Sequence, residues 1–506
     1  MRDDIIRTRF APSPTGFMHV GNLRTALYAF LIAKSSKNGK FILRIEDTDK
    51  NRKIEGAIDL IFRTLKKAGL QHDEGPDVGG DFGPYVQSER LDKYIEFAKY
   101  LISKDKAYYC FCEDQQNFEN RDHGNSFKKY NKKCRGLTKE EVKKNLSSGA
   151  KYAIRQKMPL SGSTSFTDAV FGMIITPNSE LEDQILIKRD GYPTYNFANV
   201  IDDHEMMITH VVRGSEYLTS TPKYNLLYEA FDWQTPIYVH TGLIMGENED
   251  GSVSKLSKRH GATSFEDLEN LGYLPEVIVN YIALLGWYPK NNQEIFSLEE
   301  LVETFSINNM NKSPSIFDYG KLDWFNSEYL KLKSDEDFIK ICAPYINKAV
   351  PKDFAFFKKN NKDLDENSKI LLSILRTRVV TLSQIPGMLM FLKILPQYDV
   401  SFFENKKSKS SIETSLKILE IVISDFSKIL IWSLEEIKET MLSLAKKLEV
   451  KNGTVMWPIR ISISGTIVTP GGAPEILKLL GKDEAIARME FGIKKIKEYL
   501  NQLYNS

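Results

Sequence analysis

The sequence predicts a multidomain fold of the α/β plus all-α kind: a doubly wound α/β core split by an insertion, then helices to the end. Three observations predict it. The first fifty residues alternate strand, turn, helix, strand; that alternation lapses near residue 105 and returns at Gln184; beyond about residue 263 the apolar spacing is almost all helical. A chain of 506 residues is also too long for a single core.

The elements follow in order. Ile5 to Ala11 is a short β-rich run, and Pro12-Ser13-Pro14-Thr15-Gly16 is turn chemistry. Leu23, Ala26, Leu27, Phe30 and Leu31 recur at helical spacing, and Phe41 to Ile45 is a second apolar run, closed by Glu46-Asp47-Thr48-Asp49. A strand, helix, strand unit of this length implies parallel strands with a right-handed crossover. Residues 113 to 150 are polar and lysine-rich without sustained periodicity. Strands are then expected at Gln184 to Lys188, Ile208 to Arg213 and Ile237 to His240. A turn or short helix is expected at Thr194 to Val200, and a helix at Thr219 to Phe231. Further on, Ser297-Leu298-Glu299-Glu300 and Ser433-Leu434-Glu435-Glu436 carry the Ser-x-x-Glu capping box ahead of apolar runs.

Composition narrows the class. Hydrophobic content of 42% with 27% charged residues reads as soluble and globular. No run approaches the roughly 20 apolar residues of a membrane helix. Met1-Arg2-Asp3-Asp4 leads straight into a strand, unlike a signal or transit peptide. Four cysteines exclude a disulfide scaffold and fit a reducing cytoplasm. A net charge of +2 decides little, because a nucleic-acid partner needs a basic face and not a basic total. Lysines do cluster at Lys128-Lys129 with Lys132-Lys133, and at Lys406-Lys407 with Lys409.

Two segments carry chemistry. The first is Arg9-Phe10-Ala11-Pro12-Ser13-Pro14-Thr15-Gly16-Phe17-Met18-His19-Val20-Gly21-Asn22. It falls where the first strand meets its helix, the place where doubly wound sheets bind ligands. A helix N-terminus offers free N–H groups and positive potential to phosphate, Gly21 lets backbone approach closely, and His19 can donate to a phosphoryl oxygen. The second is Lys255-Leu256-Ser257-Lys258-Arg259, flanked by Gly251 and Gly261 after the last expected core strand. By itself a basic pentapeptide is a solvated loop. Placed there, its ammonium groups can reach the outer phosphates of a nucleotide and neutralise charge during attack at the α-phosphorus.

Together these segments resemble the class I aminoacyl-tRNA synthetases. Ser13-Pro14-Thr15-Gly16 through His19-Val20-Gly21 is similar to the family's His-Ile-Gly-His element, and the lysine loop to its Lys-Met-Ser-Lys-Ser element. Arg9-Phe10-Ala11-Pro12 and Arg44-Ile45-Glu46-Asp47-Thr48-Asp49 resemble the glutamyl and glutaminyl branch, and the later segments the bacterial glutamyl enzymes. Asn22 stands where the general motif has a second His, which leaves more of the phosphate contact to backbone amides, His19 and the lysine loop. The resemblance runs on through Asn280-Tyr281 to Gly286-Trp287, Lys321 to Asn326, and Gly481 to Arg488.

The resemblance implies a Rossmann-like catalytic domain at 1–110 and 185–262, with an acceptor-end-binding insertion at 111–184. It further implies a helical stem-contact region at 263–330 and a helical anticodon-binding region at 331–506. It implies a monomeric enzyme that attaches L-glutamate to tRNA(Glu) through glutamyl-adenylate, with Mg2+ accompanying ATP. ATP would meet His19, Gly21, Asn22, Lys255, Ser257, Lys258 and Arg259, with Lys258 foremost and Lys255 second. Glutamate would meet Arg9, Ala11, Ser13, Glu46, Tyr195, Asn199 and Arg213, since two carboxylates call for guanidiniums and an ammonium for an acid. Arg213 has a structural alternative, a pair with Asp202 or Asp203.

Cys110, Cys112 and Cys134 resemble a zinc element of some glutamyl enzymes. Its fourth ligand position is Gly136 here, and nothing in the spacing recommends His123 as a substitute, so a tetrahedral zinc site is not expected. Among rivals, a glutaminyl enzyme would carry an all-β anticodon region, and the base-modifying paralogue would lack the C-terminal region. A dead RNA-binding scaffold would not keep His19, Lys255, Lys258 and Glu46. A non-discriminating enzyme that also charges tRNA(Gln) is the remaining alternative.

Overall fold

The computed structural model describes residues 5–49, 54–112, 130–350 and 365–505. It contains two compact units: Met1–Glu269 with Leu274–Leu322, and Asn270–Tyr273 with Asp323–Ser506. The stretch expected as a separate stem region, 263–330, is therefore divided at residue 322.

The first unit is organised by a six-stranded sheet. Strand β1 (Arg7–Phe10) pairs in parallel with β2 (Lys40–Leu43) on one side and with β8 (His210–Gly214) on the other. Strand β9 (Ile237–Thr241) follows β8 in parallel, and the order is completed by β5 (Ser163–Asp168) and β6 (Gly172–Pro177). Helix α1 (Val20–Lys34) buries Leu23, Ala26, Leu27 and Leu31 because it is covered on two sides, by β1 and β8 and by α8 (Pro275–Ala283). Helices α2 (Ala57–Lys67), α5 (Tyr195–Glu205) and α6 (Thr221–Ala230) complete the α/β alternation. The expected turn at Thr194–Val200 is thus the start of an 11-residue helix.

The insertion departs from expectation. Strands β5 and β6 fall inside the 111–184 span yet extend the main sheet, through Asp168 opposite Tyr238. The run at Gln184–Lys188, expected to resume the core, becomes β7 (Ile185–Ile187) in a separate three-stranded sheet with β3 (Ala107–Cys110) and β4 (Ala153–Gln156). The reason is partnership. Ile154 pairs with Ile187, and Leu186 and Ile187 bury against Tyr94, Leu101 and Phe197, on α3 (Leu91–Ser103) and α5. A short apolar run carries no information about which sheet it joins. Within the lysine-rich stretch, Thr138 caps α4 (Lys139–Ser147) through a reciprocal box with Glu141.

A small sheet of β10 (Ile244–Glu247), β11 (Val253–Lys255) and β12 (Ser315–Ile316) presents the lysine loop. The rest is helical. It comprises α7 (Phe265–Asn270), α9 (Leu298–Thr304), α10 (Tyr319–Leu332), α11 (Asp335–Ala349), α12 (Glu366–Arg376) and α13 (Ile385–Lys393). Then come α14 (Ile412–Ser427), α15 (Leu434–Lys447), α16 (Asn452–Ser464), α17 (Ala473–Leu480) and α18 (Lys482–Asn505). Ser297 caps α9 with the expected reciprocal box, and Ser433 caps α15 through its side chain, which accepts from the Glu436 N–H. Among the described residues no helix is long and apolar enough to cross a membrane.

A buried charge network ties the first unit together. Asp203 on α5 accepts from Arg9 Nε at 2.9 Å and from Arg44 Nη1 at 2.8 Å. Asp202 accepts from Arg90 Nε at 2.7 Å, Gln87 Nε2 at 2.9 Å and Tyr94 Oη at 2.8 Å. Burial pushes the Asp203 carboxyl up, but the charges of Arg9 and Arg44 override it and bring it down to about 2. A depressed carboxyl stabilises the fold above its unfolded value, and that contribution drains away as pH falls through the folded value. Asp203→Asn should therefore cost roughly 3–5 kcal/mol at neutral pH, since it strands two buried guanidiniums. The variant should also lose less stability than the parent between about pH 4 and about pH 2. Urea unfolding at several pH values checks both.

Candidate functional site

Strand order places the site. From β1 the chain crosses to β2 on one side, whereas β8 and β9 build outward on the other, so the direction of winding reverses between β1 and β8. Ligands of such sheets bind outside the carboxyl ends of the strands at that point. A cavity of about 670 Å³ lies there, walled by the residues that follow β1, β8 and β9. It collects Arg9, Ala11, Ser13, His19, Gly21 and Asn22 from the first signature. Glu46, Tyr195, Arg213 and Lys255 join them. Asn199, Ser257, Lys258 and Arg259 stand outside its lining.

His19 is the N-cap of α1: its Nδ1 accepts the Gly21 N–H at 3.1 Å. The ring proton therefore sits on Nε2. Burial, then the Lys255 ammonium, push the His19 pKa down against an opposing contact with the Leu256 backbone. The ring is thus held neutral, as a donor. The Gly21 amide, expected to be open to phosphate, is occupied by this cap. The two signatures meet through the backbone. Val20 N–H donates to the Thr263 carbonyl at 2.9 Å, and Phe265 N–H to the Met18 carbonyl at 3.0 Å.

The lysine loop leaves β11 and folds into a turn at Lys258–His260. His260 pins it: Nδ1 accepts from Ser257 N–H at 3.0 Å, and Nε2 faces Asn248 Oδ1 at 3.0 Å. Gly261, at φ 106°, closes the turn in a conformation that favours glycine. Lys255 lies 3.5 Å from Glu216, Arg259 donates to Ser254 Oγ at 2.6 Å, and Lys258 is exposed.

The charged floor divides its guanidiniums. Arg9 lines the cavity, but its fork is committed to Asp203, and its Nη1 lies 3.4 Å from the Val212 carbonyl. Arg213 does not pair with Asp202 or Asp203. Its Nη2 donates to Asn199 Oδ1 at 2.9 Å, while Nε and Nη1 are buried without partners. Its Cζ lies 5.9, 5.3 and 4.7 Å from the rings of Tyr195, Tyr217 and Tyr224. Asn199, anchored by its own Nδ2 to the Tyr195 carbonyl at 2.7 Å, orients Arg213 and does not line the cavity. Glu46 accepts from Arg44 through Oε1 at 3.0 Å, and its buried Oε2 has no partner. Burial pushes the Glu46 carboxyl up, with Arg44 and Arg9 opposing.

Sequence reasoning missed Arg24, Glu216, Tyr217 and Tyr224. Arg24 sits on α1 among buried apolar residues and donates from Nη1 to the Leu285 carbonyl at 2.7 Å. An arginine at a core position of an apolar helix was the available signal. Tyr217 directly follows the segment of Arg213, but its turn toward the guanidinium is a tertiary fact.

The thiols of Cys110, Cys112 and Cys134 do converge, all within 4.8 Å of one another, with Cys112 and Cys134 at 3.4 Å. The Tyr130 hydroxyl lies 3.3 Å from Cys110 Sγ. At Gly136 an added Cβ would meet only open space, so that position supplies no fourth ligand. His123 lies outside the described residues. Among the described residues no other Cys, His, Asp or Glu joins the three sulfurs, and a closed tetrahedral zinc site takes four ligands.

The helical unit has its own basic hollow. A cavity of about 800 Å³ is lined by Lys369, Arg378, Lys438 and Arg460, with Ile467 and Val468 on one wall. Val468 is 83% exposed, and Arg460 Nε is buried without a partner. Glu366 and Glu475 line the same cavity, and Glu475 pairs with Lys438 at 3.1 Å.

In the class I aminoacyl-tRNA synthetases, nucleotide and amino acid meet at the strand ends of a parallel sheet, and the cavity described above lies at such strand ends. The chain belongs to the glutamate and glutamine branch of that class: residues 5–324 match the family "tRNA synthetases class I (E and Q), catalytic domain", and residues 337–493 match "Anticodon binding domain". It is 54% identical over 495 residues to the glutamate–tRNA ligase of Clostridium kluyveri, covering 97% of this chain and 98% of that one. It is 51% identical over 505 residues to that of Clostridium tetani, covering 99% and 100%. A crystal structure of a glutamate tRNA ligase from Elizabethkingia meningosepticum, in complex with its amino acid, superposes with a TM-score of 0.82. It shares 34% identity over 97% of this chain and 99% of that one.

Proposed function

We propose that the chain is a cytoplasmic, monomeric glutamate–tRNA ligase that joins L-glutamate to tRNA(Glu) in two steps. The glutamate α-carboxylate attacks the α-phosphorus of ATP and displaces pyrophosphate. The terminal ribose hydroxyl of the tRNA then takes the glutamyl group from the adenylate and releases AMP. The observation that carries the glutamate reading is Arg213, a buried guanidinium that lines a substrate-sized cavity and has two nitrogens without a partner among the described residues. A side-chain carboxylate completes it with charge-assisted bonds, and a neutral amide does not. The partnerless Glu46 Oε2 suits the ammonium.

His19 Nε2–H and the loop lysines are the phosphate donors in this reading. Lys258 stands outside the cavity, so it acts only if the loop moves inward, a common step in such enzymes. Mg2+ arrives with ATP, keeping phosphate and water ligands, and Ser13, Thr15, Thr48 and Asp49 offer oxygen donors along the wall. The insertion holds the acceptor end, and the hollow around Arg378 and Arg460 receives anticodon bases.

Labelled glutamate and glutamine, offered together with purified tRNA(Glu) and tRNA(Gln), test the assignment. Glutamate alone should be transferred, and charging of tRNA(Gln) would identify a non-discriminating enzyme. Arg213→Gln should lower kcat/KM for glutamate and narrow the gap to glutamine, because leaving a buried polar group unpaired can discriminate by roughly 10⁴-fold. Unchanged preference in the folded variant would remove Arg213 from the pocket. Lys258→Ala should slow ATP–pyrophosphate exchange, measured with tRNA present, by about 10²–10³-fold while glutamate binding persists. Elemental analysis after dialysis should find no stoichiometric zinc. One zinc per chain would point to Tyr130, His123 or an acid as the fourth ligand.

A further inference from the structure

The pair Asp168 and His240 takes no part in the roles above, yet it is among the most deeply buried polar pairs in the first unit, at 1% and 0% exposure. Asp168 ends β5, and His240 lies on β9. Asp168 Oδ2 faces His240 Nδ1 at 2.6 Å and also accepts the His240 backbone N–H at 3.1 Å. Asp168 Oδ1 is held by the N–H groups of Val170 and Phe171 at 2.9 and 2.8 Å. A carboxylate anchored at both oxygens fixes the ring: Nδ1 turns toward Asp168 and Nε2 away from it.

What Nε2 meets is informative. It packs 3.4 Å from Thr221 Oγ1, and that hydroxyl donates its one proton to the Tyr217 carbonyl at 2.9 Å, so the ring supports Thr221 by contact. Tyr217 closes the short turn Ser215–Tyr217, lines the substrate cavity and places its ring 5.3 Å from Arg213 Cζ. His240 is also the cross-strand partner of Arg213 itself. The contacts therefore run from the end of β5 to the surroundings of Arg213.

We propose that Asp168 and His240, acting through Thr221, are positioning residues for the pocket that receives the glutamate side chain. Arg213 has one hydrogen bond, to Asn199, and otherwise rests on aromatic faces. Such faces attract a cation without fixing its rotation. A two-pronged bond to a carboxylate needs the fork held to within about 0.5 Å and 10–20°. Tying down the Tyr217 turn supplies a constraint in addition to Asn199. Joining β5 to β9 needs only the Asp168–His240 contact, so the alignment of Thr221 and Tyr217 beyond it exceeds a stitching role.

The inference rests on the assignment of Arg213 to the glutamate carboxylate, and the test separates the two. Aminoacylation kinetics are measured for Thr221→Val, Thr221→Ser, His240→Gln and Arg213→Gln, varying glutamate and ATP independently, with melting temperatures alongside. Thr221→Val should raise the glutamate KM on the order of tenfold, through a small misplacement of the fork, and leave the ATP KM unchanged. Thr221→Ser, which keeps the hydroxyl, should restore it. His240→Gln should move the glutamate KM in the same direction, and it carries the test if the valine variant does not fold. Should these variants lose melting temperature but keep the parental glutamate KM, while Arg213→Gln still raises it, Asp168 and His240 are structural only and the proposal is overturned. Should Arg213→Gln leave the glutamate KM unchanged, the carboxylate assignment fails, and the proposal with it.

Discussion

The Asp203 carboxylate is the constraint on which the catalytic unit turns. It can satisfy a limited number of guanidiniums, and β1, the end of β2 and β8 bring three within its electrostatic reach: Arg9, Arg44 and Arg213. Arg9 and Arg44 take its oxygens. Arg44 then has an amino group left for Glu46, which fixes one oxygen of that acid and leaves the other free. Arg213 is left over, with two buried nitrogens that meet no partner among the described residues. One buried charge thus divides its neighbours into those that hold the sheet and those that are open to a ligand. It also offsets the charge of a strongly cationic floor, which would otherwise be costly to bury.

The phosphate side of the cavity follows a different rule. His19 and the lysine loop are far apart in the chain, yet the backbone just past the loop pairs with the residues around His19. Cap and loop therefore come to the same mouth without any side-chain contact that fixes the lysines. Lys255 rests on Glu216 across 3.5 Å, an exposed pair of the kind that contributes little to stability and yields easily. On the proposed assignment, the rigid groups would face the amino acid and the adjustable ones the phosphates.

The helical unit shows how a basic site is built in a chain of almost neutral net charge. Burial, and then the charge of Arg378, push Arg460 down, with Glu475 opposing. Such a cluster is uncomfortable by itself and suited to an anionic or electron-rich partner. The lysine runs that stood out in the sequence, such as Lys406-Lys407, lie outside this hollow.

Local pattern was enough to determine much of this protein. The turn at Pro12 to Gly16 before an apolar helix, the Ser297 and Ser433 caps, and the helical spacing beyond residue 263 specify dihedrals and burial within a few residues of themselves. The signature residues were legible for the same reason, as contiguous strings. The tertiary structure alone decided the rest. It placed β5 and β6 in the main sheet and sent β7 to another. It committed Arg9 to Asp203, left Arg213 open, and set Asn199 behind Arg213 as a support and not in the cavity wall. Which arginine a carboxylate captures, and which sheet a short apolar run joins, depends on competition among groups hundreds of residues apart. Nothing in the local sequence records who wins that competition, because the outcome is set by distance and desolvation in the folded core.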